Sequence, residues 1–183
     1  MKKITFLTIL ALFALNLDAQ TFKTNEGNIK FINKSSLEEF EAVNNQVTAA
    51  ISSKGKVQFR VPINSFQFEK KLMQSHFQEN YMESNTFPNA TFSGSVTKMD
   101  GVNLTKAGEY NVKVAGIFDM HGVSKADTLS GKLIVAKGTV KLVSSFSIKC
   151  NDYNIKIPAA VSSKVANEIK INVNCLTAIA EKK

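Results

Sequence analysis

Residues 128–150 read TLSGKLIVAKGTVKLVSSFSIKC. Two alternating runs meet at Gly138. Leu129, Gly131, Leu133 and Val135 share one parity of the first, and Val140, Leu142, Ser144, Phe146 and Ile148 share one parity of the second. Successive side chains of a strand point to opposite faces, so a period of two marks half-buried strands. What such strands enclose is the open question, because this inward set mixes branched and aromatic residues with Gly131 and Ser144.

The same period runs outward in both directions. EYNVKVAGIFDM (109–120) aligns Tyr110, Val112, Val114, Gly116 and Phe118, and ATFSGSVTK (90–98) aligns Phe92, Gly94 and Val96. VQFRVPINSF (57–66) aligns Val57, Phe59, Val61 and Ile63, with Pro62 on the polar parity of an edge or bulge. EIKINVNCLTAI (168–179) aligns Ile169, Ile171, Val173, Cys175 and Ile179. Shorter strands are expected at NIKFINK, LEEFEAVNN and QVTAAIS. Many short strands with Gly and Asn turns specify an all-β antiparallel sandwich or barrel.

A packed sandwich core carries large inward residues, whereas Gly94, Gly116, Gly131 and Ser144 leave room or let strands bend. Strongly curved strands around an apolar lumen describe a ligand-holding barrel. The wall of that lumen is then Phe59, Val61, Phe92, Gly94, Val114, Gly116, Leu133, Leu142, Phe146 and Val173. In this reading Gly116→Leu blocks the lumen with little loss of folding. The alternative is a filled barrel whose glycines only relieve crowding at corners.

One segment breaks the alternation. LMQSHFQENYMESNTFPNATFSG (72–94) starts with helical spacing, and a helix is expected over 69–84, covering an end or side of the barrel. At about 100° per residue, Leu72, Met73, His76, Phe77, Asn80, Tyr81 and Ser84 share one half, and Lys70, Lys71, Gln78 and Met82 the other. Pro88 ends it. His76 and Asn80 are either satisfied core groups or, in a lid, face the polar end of a ligand, with His76, Phe77 and Tyr81 as binding residues.

The chain opens with MKK, an apolar run ITFLTILALFAL, and NLDA. This is the pattern of a secretory signal peptide, residues 1–19, leaving 20–183 as one domain in a bacterial periplasm or outside the cell. Its loss lowers the formal charge from +8 to +7. The basic residues are scattered lysines, with Arg60 the one arginine. Arginine is the residue of bidentate base contacts, so nucleic acid is not an expected partner. Transient contact with a membrane and a homodimer remain open. Cys150 and Cys175 have inward parity on consecutive strands. A turn near 158–160 pairs Cys150 with about residue 168, so Cys175 lies more than roughly 20 Å away at ~3.4 Å per residue. Two buried thiols, rather than a disulfide, are expected.

His76-Phe77, Phe87-Pro88 and Ala90-Thr91-Phe92 together resemble the signature stretch of the YceI-like family of polyisoprenoid-binding proteins. GIFDMHGVSKADTL is similar to a second family segment through Gly116, Gly122, Val123, Ser124 and Lys125. CNDYNIKIP is similar to a third through Asp152, Tyr153 and Ile155, with Asn154 where the family has glycine. Asparagine is a residue that tolerates φ > 0. The resemblance implies a lipocalin-like extended antiparallel β-barrel. It also implies an exported carrier or sequestering protein holding an apolar lipid, such as a polyisoprenoid, isoprenoid quinone or fatty-acyl chain, along its axis.

Catalysis needs a nucleophile, a base and an orienting group. Two histidines without a carboxylate pattern make no zinc site, and there is no Gly-x-Ser-x-Gly elbow or phosphate loop. The expectation is a non-enzymatic protein with no cofactor and no metal, the lipid being its ligand. The alternatives are a secreted lipid-modifying enzyme, which needs His76 and His121 to converge on one polar group, and a stress or surface protein with a filled barrel.

Overall fold

The computed structural model describes residues 20–180. The expected signal peptide lies outside them. β1 (Thr21–Lys34) and β2 (Glu39–Ser52) form a long hairpin, followed by β3 (Lys56–Pro62) and the two-residue β4 (Gln67–Phe68), which pairs with β2. After α1 (Lys71–His76) come β5 (Asn89–Val96), β6 (Gly108–Met120), β7 (Val123–Ala136), β8 (Thr139–Lys149) and β9 (Glu168–Ile179). Eight strands in the order β1-β9-β8-β7-β6-β5-β3-β2 close on themselves through β1–β2. All pairs are antiparallel, so the chain is an all-β, lipocalin-like barrel. Closure removes the free edges that an open sheet exposes.

The alternating residues take the sides their parity specifies, except Ile179, which ends β9 exposed. Val112, Val114, Leu133, Val135, Val140, Leu142, Val173 and Cys175 are buried. The β7–β8 hairpin turns at Lys137-Gly138, where Gly138 has φ +76°. Its ladder runs only from Ala136↔Thr139 to Gly131↔Ser144. Beyond that point the strands separate, and the turn Cys150–Tyr153 packs near the fork. Lys125 on β7 holds it through Asp152 at 2.9 Å. Asn154 takes the left-handed conformation, φ +57°.

The amino-terminal strands are longer than their patterns indicate. β1 and β2 each slip register near Gly27, which hides the alternation from a reader of either strand alone. The slip is a bulge, which inserts an unpaired residue and bends the strand. A Cβ on Gly27 would stand 2.6 Å from Cys175 Sγ and 2.9 Å from the Val47 carbonyl. Asn44, wholly buried beside the slip, donates to the Pro62 carbonyl at 2.7 Å and accepts from the Gln46 N–H at 2.8 Å.

The lid helix is shorter than the expected 69–84. α1 gives way at Phe77 to a π turn through Tyr81. The Met82 N–H donates to the Phe77 carbonyl at 2.9 Å, one residue wider than an α bond. Both cysteines are free and buried. Lys149 pairs with Glu168, and the Cys150 N–H donates to the Asn167 carbonyl at 2.7 Å, which puts the two thiols at different levels of the barrel.

Candidate functional site

Where the lid meets the barrel, five rings converge. Phe31 lies 5.3–6.3 Å, centroid to centroid, from Phe40, Phe66, Phe68 and Phe77. β1, β2, the segment after β3, and the lid supply these rings. They surround a cavity of about 410 Å³. Met73, Tyr81 and Met82 close it from the lid side, and Cys150, Ile155 and Ile157 from the connection after β8. Glu38, Lys70, His76 and Lys164 form its polar rim, with Glu38 and Lys70 paired at 3.4 Å.

A second cavity of about 100 Å³ continues along the lumen. The two share Ile29, Val61, Ala90, Phe118 and Phe146 in their walls. Phe118 touches Phe92 at 4.7 Å and Phe146 at 5.6 Å, so a stack of three rings stands at the division.

The expected wall residues divide into three groups. Phe59, Val61, Phe92, Val114, Leu133, Leu142, Phe146 and Val173 all line the smaller cavity. His76, Phe77 and Tyr81 line the larger. Gly94 and Gly116 line neither, which corrects the reading that they open the lumen. They face each other across β5 and β6, and the Phe92 ring covers both. A Cβ on Gly116 would lie 2.5 Å from Phe92 Cζ, and one on Gly94 3.0 Å from Phe92 Cε1. The sequence reading also missed Phe31, Phe40, Phe66 and Phe68, which line the larger cavity outside the lid. Phe66 and Phe68 alternate in NSFQFEK, and Phe31 sits in NIKFINK, so a signal was present in both.

Two adjoining apolar cavities in a closed antiparallel barrel with a short helix make a fold that comparison can test. The family model for the YceI-like domain matches residues 17–176. This chain belongs to the YceI-like family.

Solved structures of similar fold include a polyisoprenoid-binding domain from Saccharophagus degradans implicated in plant cell wall breakdown. It is 15% identical, with a TM-score of 0.75 over 88% of this chain and 99% of that one. Burkholderia cenocepacia BcnA is 19% identical, with a TM-score of 0.69 over 83% and 96%. A Campylobacter jejuni YceI protein is 19% identical, with a TM-score of 0.56 over 99% and 100%. At these identities the likeness establishes the fold. No curated protein matches the chain.

In this YceI-like barrel the two histidines do different work. His76 is exposed at the rim. His121 stands in the β6–β7 turn, with φ +51°, and is buried. Its Nδ1 lies 3.0 Å from the Tyr153 carbonyl, its Nε2 lies 2.9 Å from Glu83 Oε2, and Phe87 packs on the ring at 4.6 Å. It ties the end of the lid segment and the 150–153 turn to the β6–β7 turn. The two imidazoles share no polar partner, and among the described residues no three His, Cys, Asp or Glu side chains form a metal cluster. Burial pushes the Cys150 thiol up to about 11. Burial, then the neighbouring Cys150, raises the Tyr81 hydroxyl. Both groups therefore face the cavity uncharged at neutral pH.

Proposed function

We propose that this chain is an exported, non-enzymatic carrier. It holds one long apolar ligand, a polyisoprenoid, isoprenoid quinone or fatty-acyl-type lipid, for transport, storage or sequestration in the periplasm or outside the cell. The observation that carries this reading is the larger cavity, which is walled by phenylalanine, methionine and isoleucine and has its charged groups confined to one rim. Large apolar clefts with a few polar groups at one end are the usual form of a lipid site. A filled barrel has no such space. The exposed His76 shares no hydrogen-bond partner with His121, which the enzymatic alternative needs.

A short apolar chain fits within the larger cavity of about 410 Å³. A longer chain requires the rings of Phe118 and Phe146 to move. The test is mass spectrometry of organic extracts from gently purified protein, followed by uptake of added lipids of graded length. A bound chain with one polar end is the expected result. An empty protein that takes up no added lipid overturns the carrier reading.

A further inference from the structure

The most exposed large apolar side chains among the described residues are Leu37, at 71%, and Leu72, at 68%. Both stand on the rim of the larger cavity. Leu37 lies in the β1–β2 turn, beside the cavity-lining Glu38, and its N–H donates to the Ser163 carbonyl at 3.1 Å, next to the cavity-lining Lys164. Leu72 lies on α1 beside the cavity-lining Met73. The Glu38–Lys70 ion pair joins the two lips. Leu72 was expected to face inward. Its exposure leaves an apolar side chain in water that nothing in the fold requires.

The same rim carries a small excess of lysine, two of them without an acidic partner among the described residues. Lys34, Lys70, Lys71 and Lys164 are all exposed. Glu39 lies 3.7 Å from Lys34, and Glu38 is taken by Lys70, while Glu69 precedes the lid. Lys71 and Lys164 have no carboxylate partner among the described residues.

We propose that this rim is a docking surface for an anionic phospholipid bilayer. Leu37 and Leu72 enter the interface, and the lysines meet headgroup phosphates. Apolar anchors flanked by cations have the composition that partitions into a charged membrane interface. A lysine near such a surface strengthens binding about fivefold. A second copy of this chain is the poorer occupant, because a symmetric contact would set the unpaired Lys71 and Lys164 against their own copies. Docking of this kind does not depend on the lumen's contents. That it lets a chain pass between bilayer and lumen without crossing water rests on the carrier reading.

The test is co-sedimentation of the mature chain with phosphatidylglycerol/phosphatidylcholine vesicles and with pure phosphatidylcholine vesicles. Binding is expected to favour the anionic vesicles about tenfold or more and to weaken at about 0.5 M salt, where exposed charges are screened. Leu37→Glu/Leu72→Glu should lose at least about tenfold on anionic vesicles. Lys71→Gln/Lys164→Gln should lose about tenfold to twentyfold. Leu176→Glu, altering an exposed leucine on the wall of β9, should bind like wild type. Circular dichroism and melting establish that each variant folds.

The proposal is overturned if wild type ignores anionic vesicles or if the leucine pair is without effect. Equal weakening by Leu176→Glu overturns it too. So does a dimer that depends on Leu37 and Leu72, seen by sedimentation velocity, without vesicle binding. An empty lumen with intact, rim-dependent vesicle binding counts against the carrier reading alone.

Discussion

Two regions of the lumen use phenylalanine to opposite effect. At the lid end, Phe31, Phe40, Phe66, Phe68 and Phe77 contact one another at 5.1–6.3 Å yet border about 410 Å³ of space. In mid-barrel, Phe92, Phe118 and Phe146 contact at similar distances, and the lumen beside them narrows to about 100 Å³. The difference lies in what each ring faces. The lid-end rings come from elements that meet at the barrel mouth, so they converge around a gap. Phe92 instead lies over the opposed pair Gly94 and Gly116 on its own and the next strand, where the missing side chains make a seat for it. An inward glycine in a strand thus marks a place where something approaches closely, and here that is an aromatic ring rather than a ligand.

The largest effect should come from breaking that seat. In Gly116→Leu the first added carbon already meets Phe92 Cζ at 2.5 Å, the Ser93 carbonyl at 2.6 Å and Gly94 Cα at 2.8 Å. Overpacking of this kind costs about 3 kcal/mol or more when backbone cannot yield. Urea unfolding should show that loss, and combining the change with Phe92→Ala should recover only part of it, because two of the three contacts are backbone. This reverses the sequence-based expectation that a lumen absorbs the leucine. A Gly116→Leu protein that unfolds like wild type would return the glycines to the ligand channel.

How much was legible follows from the same contrast. Parity along a strand is written in that strand, so eight of the expected wall residues, Phe59 to Val173, do line one cavity. Which residues stand opposite one another depends on register between strands, and no single run records that Gly94 faces Gly116 or that Phe92 covers both. The register slip at Gly27 concealed the first half of β1, residues 21–27, while Phe31, in the half that alternates, could not be placed among the lid-end rings because its ring partners come from other elements. The third family segment carried its backbone conformation in one residue, and Asn154 has the positive φ that glycine there would supply. The lid failed for a different reason. A uniform 100° per residue puts Met82 outside, but the π turn rotates the residues after it, and Met82 is 5% exposed.

Each region also holds one thiol, which sharpens the comparison through pH. Cys150 lines the roomy cavity, whereas Cys175 is sealed against Gly27 beneath the β1 bulge. Burial pushes both up to about 11 from an ordinary value of 9.0. Between pH 9 and 11 the unfolded chain therefore loses thiol protons that the folded chain keeps. Stability must fall as pH rises through that window. The loss is on the order of 2–3 kcal/mol per thiol, since each tenfold change in proton affinity is worth about 1.4 kcal/mol. Cys150→Ala and Cys175→Ala should each flatten the slope of unfolding free energy against pH. An apolar ligand that fills the larger cavity should steepen the share that Cys150→Ala removes and leave the Cys175 share unchanged. Slopes equal to wild type in both variants would mean that the folded thiols ionise as freely as unfolded ones.

The smallest effect belongs to His76, and it bears on how the lid is built. On an unbroken helix His76 stands inside the apolar stripe, and its loss should weaken binding or stability. In the structure α1 ends at His76, its side chain is exposed, and it makes no side-chain hydrogen bond among the described residues. The inward positions of the lid go to Met73, Phe77, Tyr81 and Met82 instead. Exposed substitutions away from caps and networks usually change stability by less than about 0.5 kcal/mol. His76→Ala should therefore melt like wild type and bind a fluorescent fatty acid within about twofold of it, since the added chain packs against rings that His76 does not orient. A tenfold loss of binding at unchanged melting temperature would mean that the imidazole swings in to meet the ligand's polar end. The lid would then present a different face when the cavity is filled.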